Sequence, residues 1–209
     1  MATLRSLRSH AIPSEGMEPL PWAGHRGGMF TIHTEESAPE PSREALTAIR
    51  QRVGFIPNLA ATIASSPVAL AGFGAMQESL RGSSLRPVER EVVGVTVSLA
   101  NRSPYSMAAH STFAAGAGAS LEIVAALRAG EPLPDTRLES LRAFTTALLR
   151  DRGHMDDGFG LSAEEQLEVA AQVAYTTFAN LVANRAATPV DAAFAGQAWD
   201  AHATLEASG

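Results

Sequence analysis

An apolar segment from residue 85 to residue 100 limits the fold of this chain more than any other feature. Alternating β-branched residues, such as Val93, Val95 and Val97, also favour a β-strand. The apolar run continues over its whole length without a turn signal, whereas strands are usually shorter. We therefore predict a buried helix here, which Asn101 and Arg102 end.

Helical signals also cover the rest of the chain from residue 42 onward. Serines that precede apolar periodic segments are typical helix N-caps, and a glutamate three residues later completes a capping box. We predict N-caps at Ser42, Ser84, Ser103 and Ser120, and a capping box at Ser162 and Glu165. The predicted fold is all-α with seven to eight helices, and the segment from Pro189 onward either docks or frays.

Residues 1–40 differ in composition from the remainder. Prolines and glycines interrupt every regular pattern, and no apolar stretch of secretory-signal length follows the first arginines. We predict a disordered tail, or a start codon placed too early with Met17 or Met29 as the true start. Residues 41–209 are predicted to form one helical domain, and a cytoplasmic location is expected.

Two missing residue types exclude several kinds of chemistry. The chain has no cysteine, which removes disulfides, thiolate nucleophiles, cysteine-ligated zinc and iron–sulfur clusters. It also has no lysine, and the 16 residues counted as Lys or Arg are all arginine. The absence of lysine excludes Schiff-base catalysis. The arginine and alanine content is typical of a GC-rich bacterial genome.

Charge and histidine spacing exclude further partners. The net charge of −6 and the lack of a basic cluster argue against nucleic-acid binding. No apolar run has the length of a membrane span, which is about 18 residues or more. No histidine pair has the spacing of a helical metal site. We therefore expect no metal, no cofactor, and a small molecule as the substrate.

The central motif combines Glu91, Ser103, Ser106 and His110. With cysteines in place of the two serines, it would be a thiol-redox motif of the form Glu…Cys-x-x-Cys-x-x-x-His. Spacings of seven and four residues place both serines on the helix face of the histidine. A histidine can exchange protons near neutral pH, and Glu91 could orient it. The alternative is a buried Glu–His pair kept for packing.

Four neighbouring groups have both a functional and a structural interpretation. Ser103 and Ser106 are candidate nucleophiles or donors, although Ser103 before Pro104 is also an ordinary helix cap. Tyr105 could donate its phenol to a substrate, or it packs with a wet hydroxyl. Arg90 could bind a substrate carboxylate, or it forms an intersubunit salt bridge.

These motifs resemble the carboxymuconolactone decarboxylase superfamily, which includes the alkylhydroperoxidase D proteins. The similarity covers residues 42 to about 195. It is carried by Leu85-x-Pro87-x-Glu89-Arg90-Glu91, Asn101-x-Ser103-Pro104-Tyr105-Ser106-x-x-x-His110, Phe55-x-Pro57-Asn58 and Phe178-x-Asn180. The resemblance implies an all-helical fold that assembles as trimers or hexamers. It also implies that Glu91 and His110 match a proton relay, with Ser103 and Ser106 at the positions of the redox cysteines.

Three functions follow from this combination. The first is a non-redox acid/base enzyme, of decarboxylase, isomerase or hydrolase type, on a small carbonyl or carboxylate compound. The second is a catalytically inactive binding or scaffold protein with the same oligomeric fold. The third, a peroxidase, is disfavoured because the chain has no thiol. A pocket of about 300 Å³ or more at the motif, within the usual range of small-molecule sites, would favour the enzyme.

Overall fold

The computed structural model describes residues 29–201, and within this range the protein is all-helical, as predicted. Eight α-helices are followed by one 3-10 helix. In chain order they are α1 (Glu40–Val53), α2 (Asn58–Ile63), α3 (Pro67–Arg81), α4 (Pro87–Ala100), α5 (Pro104–Gly116), α6 (Leu121–Ala129), α7 (Thr136–Arg150), α8 (Ala163–Ala186) and the 3-10 helix (Ala192–Gln197).

Helix α4 lies at the centre of the fold and confirms the predicted buried helix. It packs against α5, α7 and α8. Its valines at positions 92, 93, 95 and 97 are completely buried. A helix that is apolar on all sides needs neighbours on all sides, and these three helices supply them. The tertiary contacts therefore explain why an alternating valine pattern forms a helix here.

The connection from α4 to α5 reverses the chain within three residues. Arg102 adopts a left-handed conformation with φ 49°. Ser103 then occupies the N-cap position of α5, as predicted, and Pro104 begins the helix. The Ser103 hydroxyl makes no capping hydrogen bond, however. The turn thus places α5 antiparallel to α4, so that their side chains meet.

The other predicted caps divide into correct and wrong ones. Ser120 caps α6, and Ser162 with Glu165 forms the capping box of α8. Ser42 lies inside α1, where its hydroxyl donates to the Ala64 carbonyl oxygen. Ser84 lies before α4, and its hydroxyl donates to Glu168 of α8. In both wrong cases the serine hydroxyl donates to a group outside its own helix, instead of accepting from the backbone amides of the helix it was predicted to cap.

The last described segment docks onto the domain. Phe194 of the 3-10 helix is buried, and its ring packs edge-on against Tyr105 and Phe113 with centroid distances of 6.2 and 5.3 Å. Asp191, just before this helix, accepts a hydrogen bond from the Tyr105 hydroxyl at 2.7 Å. The C-terminal segment therefore covers one side of α5.

Part of the segment predicted as a tail is packed against the domain. The backbone amide of His33 donates to the Ala61 carbonyl oxygen, Glu35 pairs with Arg50, and Ala38 is buried. The folded region therefore begins before the boundary at residue 40. Residues 1–28 lie outside the described residues, so the prediction made for them stays a prediction.

No helix in the described part of the chain has the length and apolar character needed to cross a membrane.

Candidate active site

The predicted partners Glu91 and His110 are in direct contact. Helix α4 carries Glu91, helix α5 carries His110, and the His110 Nδ1 lies 2.7 Å from the Glu91 Oε2. His110 is nearly buried, with 9% of its surface exposed. A carboxylate at Nδ1 holds the hydrogen on that nitrogen. The other nitrogen, Nε2, is then the one that remains for a bound molecule.

Gly94 makes this contact possible, although it was not among the residues predicted from the sequence. A Cβ atom on residue 94 would lie 2.7 Å from the His110 Cε1 and 2.8 Å from its Cγ, and closer still to Nδ1. Real Cβ atoms essentially never approach another heavy atom that closely. The missing side chain thus lets the imidazole lie on the backbone of α4, beside Glu91. One glycine in a valine-rich helix was the available signal.

A cavity of about 140 Å³ lies beside His110. Its wall includes Ser106, one turn before His110 on α5, and aromatic side chains from α3, α8 and the 3-10 helix. Most of the remaining lining is aliphatic. The lining residues are Ile49, Arg52, Val53, Pro57, Leu59, Ala60, Leu70, Phe73, Gly74, Gln77, Tyr105, Ser106, Ala109, His110, Phe113, Tyr175, Ala179 and Phe194.

The Ser106 hydroxyl is buried and unused by the protein. The residue is 2% exposed, and its Oγ has no hydrogen-bond partner among the residues that the structure describes. A buried hydroxyl without a partner costs about 1–3 kcal/mol. Since Ser106 lines the cavity, its hydroxyl is available to a molecule bound there.

Ser103 is the second predicted hydroxyl, and it lies deeper. It is fully buried, and its Oγ also lacks a hydrogen-bond partner within residues 29–201. It is not part of the cavity lining. The structure therefore brings Ser106, but not Ser103, together with His110 at the cavity.

The Tyr105 ring lines the cavity, but its hydroxyl is engaged elsewhere. It donates to Asp191 at 2.7 Å and accepts from the Leu59 amide at 3.3 Å. Burial, and then the hydrogen bond to Asp191, raise the pKa of the Tyr105 phenol. The predicted donation from this hydroxyl to a substrate would require breaking a buried hydrogen bond, whereas its ring can contribute a surface.

Arg90 lies away from the cavity. Its guanidinium donates to the Leu85 carbonyl oxygen at 2.7 Å, and the residue is not among those that line the cavity. The arginine that does line it is Arg52, from α1. The predicted substrate contact of Arg90 therefore has no support in this geometry.

Tyr175 and Gln77 are further polar residues of the cavity, and neither was predicted from the sequence. Tyr175 of α8 stacks on Phe73 of α3, with ring centroids 4.7 Å apart, and its oxygen accepts a hydrogen bond from Gln77 Nε2 at 3.0 Å. Both are distant in sequence from the motif, so no local spacing pointed to them.

No group of three or more histidine, aspartate or glutamate residues in the described part of the chain is arranged to hold a metal ion.

The central part of the chain matches a known protein family. Residues 67–147 match the model of the Carboxymuconolactone decarboxylase family. The matched segment covers less than half of the chain, and over that segment it confirms the resemblance inferred from the central motif. The matched segment contains Ser103 and Ser106 and no cysteine.

Solved structures with the same fold include proteins related to peroxidases. One is the alkylhydroperoxidase AhpD core of an uncharacterized peroxidase-related protein from Ralstonia eutropha JMP134, with 19% identity, a TM-score of 0.71, and coverage of 82% of this chain and 96% of that one. Another is an uncharacterized peroxidase-related protein from Silicibacter sp. TM1040, with 20% identity, a TM-score of 0.68, and coverage of 81% and 93%.

A third similar structure is a debrominase. It is a cysteine-to-alanine variant of Bmp8 in complex with 2,3,4-tribromopyrrole, with 19% identity, a TM-score of 0.66, and coverage of 87% of this chain and 97% of that one. At these identities the likeness establishes the alkylhydroperoxidase D-like fold alone. No curated protein matches the chain in sequence.

Proposed function

We propose that this protein is a non-redox acid/base enzyme in which Glu91 and His110 transfer a proton on a small carbonyl or carboxylate compound. The observation that carries the proposal is the 2.7 Å contact between the His110 Nδ1 and the Glu91 carboxylate, beside a cavity that His110 lines. A base that is oriented by a carboxylate and faces a mostly apolar cavity is suited to general base catalysis.

The chemistry follows from the two ring nitrogens. Glu91 accepts a hydrogen bond from Nδ1–H, so Nε2 carries the free lone pair of the ring. This lone pair can remove a proton from a carbon next to a carbonyl group. The C–H electron pair then forms a C=C bond, and the carbonyl oxygen becomes negative. Return of the proton to another carbon gives isomerisation. In a decarboxylation, Nε2 first takes the proton of the substrate's carboxylic acid group. The C–C bond to the carboxylate then breaks, its electron pair stays on the carbon as carbon dioxide leaves, and the imidazolium returns the proton to that carbon.

The size of the cavity restricts the substrate. Its volume of about 140 Å³ is below the roughly 300 Å³ at which we expected an enzyme pocket. It is close to that of an apolar cavity of about 150 Å³ known to hold benzene. The substrate that fits this space is therefore a compact molecule of about benzene size.

Thiol chemistry is disfavoured because the sequence contains no cysteine. Peroxide reduction by the family's thiol mechanism needs a sulfur that can be oxidised, and serine oxygen does not undergo this reaction. The similar proteins named as peroxidase-related or as a debrominase therefore do not supply a mechanism for this chain. Glu91 and His110 are the remaining groups that handle protons.

A binding or scaffold protein is the second candidate. The observation that favours it is the enclosure of the Glu–His pair, in which the His110 side chain is 11% exposed and that of Glu91 is 20% exposed. A pair kept for packing would have the same appearance. On this alternative, Glu91→Gln and His110→Ala alter the free energy of unfolding and leave no turnover to lose.

We also propose that the protein self-associates, as the family resemblance implies for trimers or hexamers. Large apolar side chains on α3 and α8 support this, because several are exposed: Val68, Met76, Leu167, Phe178 and Leu181. Exposed apolar surface of this kind commonly marks a protein–protein contact. Light scattering after size exclusion should give a multiple of the chain mass of 21.9 kDa. A monomer at micromolar concentration would contradict the assembly.

Deuterium exchange tests the catalytic proposal without knowledge of the natural substrate. The protein should accelerate exchange of the α-hydrogens of cyclopentanone in D₂O, measured by proton NMR. His110→Ala should lower the protein-catalysed rate by about 100-fold or more while the unfolding temperature stays near that of the wild type. His154→Ala, on an exposed loop, is the matched control and should leave the rate unchanged. Full activity of His110→Ala would exclude the proposal.

A further inference from the structure

Tyr175 presents a second polar group to the cavity that His110 lines. Its ring is fixed by stacking on Phe73, with an angle of 12° between the ring planes. Its oxygen is fixed by the hydrogen bond from Gln77 Nε2 at 3.0 Å. A side chain held at both the ring and the hydroxyl has little freedom left, so its position in the cavity wall is well defined.

The direction of the hydrogen bonds follows from Arg52. Its guanidinium donates to the Gln77 Oε1 at 3.0 Å, and a guanidinium carries only donors. The amide of Gln77 must therefore turn its oxygen to Arg52 and its nitrogen to Tyr175. The Tyr175 oxygen then acts as an acceptor, and its own hydrogen has no acceptor among the residues that the structure describes.

The phenol stays protonated in this environment. Burial raises the pKa of Tyr175, and the nearby negative charge of Glu91 raises it further, whereas the hydrogen bond from Gln77 acts in the opposite direction. The net effect is a raised pKa. Tyr175 therefore keeps its hydrogen and remains a donor throughout the range in which the protein would work.

The cavity offers little electrostatic stabilisation to an anionic ligand. The lining arginine, Arg52, is already bonded to Gln77 and lies 3.5 Å from Glu78. The carboxylate of Glu91 lies behind His110, at 2.7 Å from its ring. An incoming carboxylate would meet a negative charge and no unpaired cation among the described lining residues, whereas a neutral ligand meets neither penalty.

We propose that Tyr175 donates its phenolic hydrogen to the oxygen of an uncharged carbonyl compound bound in this cavity. The inference rests on the proposed function, which it narrows from carbonyl or carboxylate compounds to neutral carbonyl compounds. When His110 Nε2 takes the α-proton, the C–H pair forms the C=C bond and the oxygen becomes an oxyanion. A donor already aimed at that oxygen stabilises the charge as it develops.

A binding experiment with three probes of equal heavy-atom count tests this directly. Cyclopentanone has the acceptor oxygen, methylenecyclopentane lacks it, and cyclopropanecarboxylate carries a charge. In NMR titrations of the wild-type protein, the ketone should bind more tightly than the other two. Tyr175→Phe should weaken ketone binding about five-fold, the usual worth of one hydrogen bond, and leave methylenecyclopentane unchanged.

The matched control for Tyr175→Phe is a hydroxyl removed outside the cavity. Thr112→Val removes a hydroxyl on α5 that bonds the Ala108 carbonyl oxygen and lies outside the cavity lining, so it should not change ketone affinity. Equal loss of both neutral probes in Tyr175→Phe, no loss of either, or no ketone binding to the wild type would each overturn the inference. Binding of the carboxylate as tightly as the ketone would overturn the selectivity.

Ketone binding through Tyr175 can be tested separately from proton exchange through His110. His110→Ala should retain ketone binding and its dependence on Tyr175, because the hydrogen bond does not involve the imidazole. Selective ketone binding without proton exchange would exclude the enzyme and keep the inference. Exchange that survives in Tyr175→Phe with unchanged ketone affinity would exclude the inference and keep the enzyme.

Discussion

The imidazole of His110 occupies the space where a side chain on Gly94 would begin. Because residue 94 has no Cβ, helix α5 approaches α4 closely enough for the His110 Nδ1 to reach Glu91 at 2.7 Å. A glycine inside a helix lowers its stability by about 0.5–1 kcal/mol relative to alanine. Here that cost accompanies a contact between two groups that handle protons.

The first prediction concerns Gly94→Ala. The added methyl group would meet the His110 ring itself, which cannot bend away as the end of a flexible side chain can. It should therefore displace the ring and separate it from Glu91. We expect proton exchange to fall at least as far as in Glu91→Gln, and the imidazole NMR signals to shift. Gly72→Ala, where a Cβ meets nothing within 4 Å, should be neutral or slightly stabilising. Wild-type exchange in Gly94→Ala would exclude this positioning role.

The second prediction concerns the two serine hydroxyls without partners. Removing a buried hydroxyl that bonds to no protein group relieves a desolvation cost, so Ser103→Ala and Ser106→Ala should each be neutral or stabilising by up to about 1 kcal/mol. Only Ser106→Ala should reduce ketone affinity or exchange, because Ser106 alone lines the cavity. Urea unfolding and the exchange assay measure the two effects. A loss of stability in both variants would mean that these hydroxyls have structural partners.

The third prediction concerns the buried contact between Tyr105 and Asp191. Asp191 also accepts the Asn58 amide at 3.1 Å, so one carboxylate joins the start of α2, α5 and the 3-10 helix. Tyr105→Phe should lower the free energy of unfolding by about 1–3 kcal/mol. Thr146→Val, which removes an exposed hydroxyl that bonds Arg142, should cost far less. Equal effects of the two variants in urea unfolding would contradict a structural role for the Tyr105 hydroxyl.

The fourth prediction concerns pH and Glu89, in the first turn of α4. Burial raises the pKa of Glu89, but hydrogen bonds from Arg86 and Arg137 outweigh it, so the pKa lies below its ordinary 4.5. As the pH falls, Glu89 is therefore protonated at a higher pH in the unfolded chain than in the folded protein. The stability that Glu89 contributes is complete above pH 4.5 and is lost as the pH falls through the pKa of the folded state.

Glu89→Gln isolates this contribution. The variant should be less stable than the wild type at pH 7, and its stability should depend less on pH below about 4.5, in unfolding curves recorded from pH 7 to pH 3. Glu44→Gln, on the exposed side of α1, should keep the wild-type pH dependence. An unchanged acid dependence in Glu89→Gln would show that Glu89 does not hold this linkage.

Local signals predicted the fold well because they depend on neighbours in sequence. The length of the apolar run identified α4 as a helix, and the spacing of Ser162 and Glu165 identified the capping box of α8. Ser42 and Ser84 resemble caps equally well in sequence. Their hydroxyls bond Ala64 and Glu168 instead, and no local pattern announces an acceptor from another helix.

The candidate site was predictable only in part, for the same reason. Glu91 and His110 were found through a motif, and their contact depends on Gly94, whose role appears only when α4 and α5 are packed together. Tyr175 comes from α8, which joins the cavity through tertiary packing against α3 and α5. Arg90 was chosen for its charge, but charge alone does not reveal that its guanidinium binds the Leu85 carbonyl oxygen.

The most direct test of the central claim is a double-mutant cycle on the rate of α-hydrogen exchange of cyclopentanone in D₂O. If Glu91 and His110 act as one relay, His110→Ala should remove the protein-catalysed rate, and Glu91→Gln should reduce it. The double variant should then be no slower than His110→Ala alone. Independent, multiplicative losses, or exchange at the wild-type rate in His110→Ala, would contradict the relay.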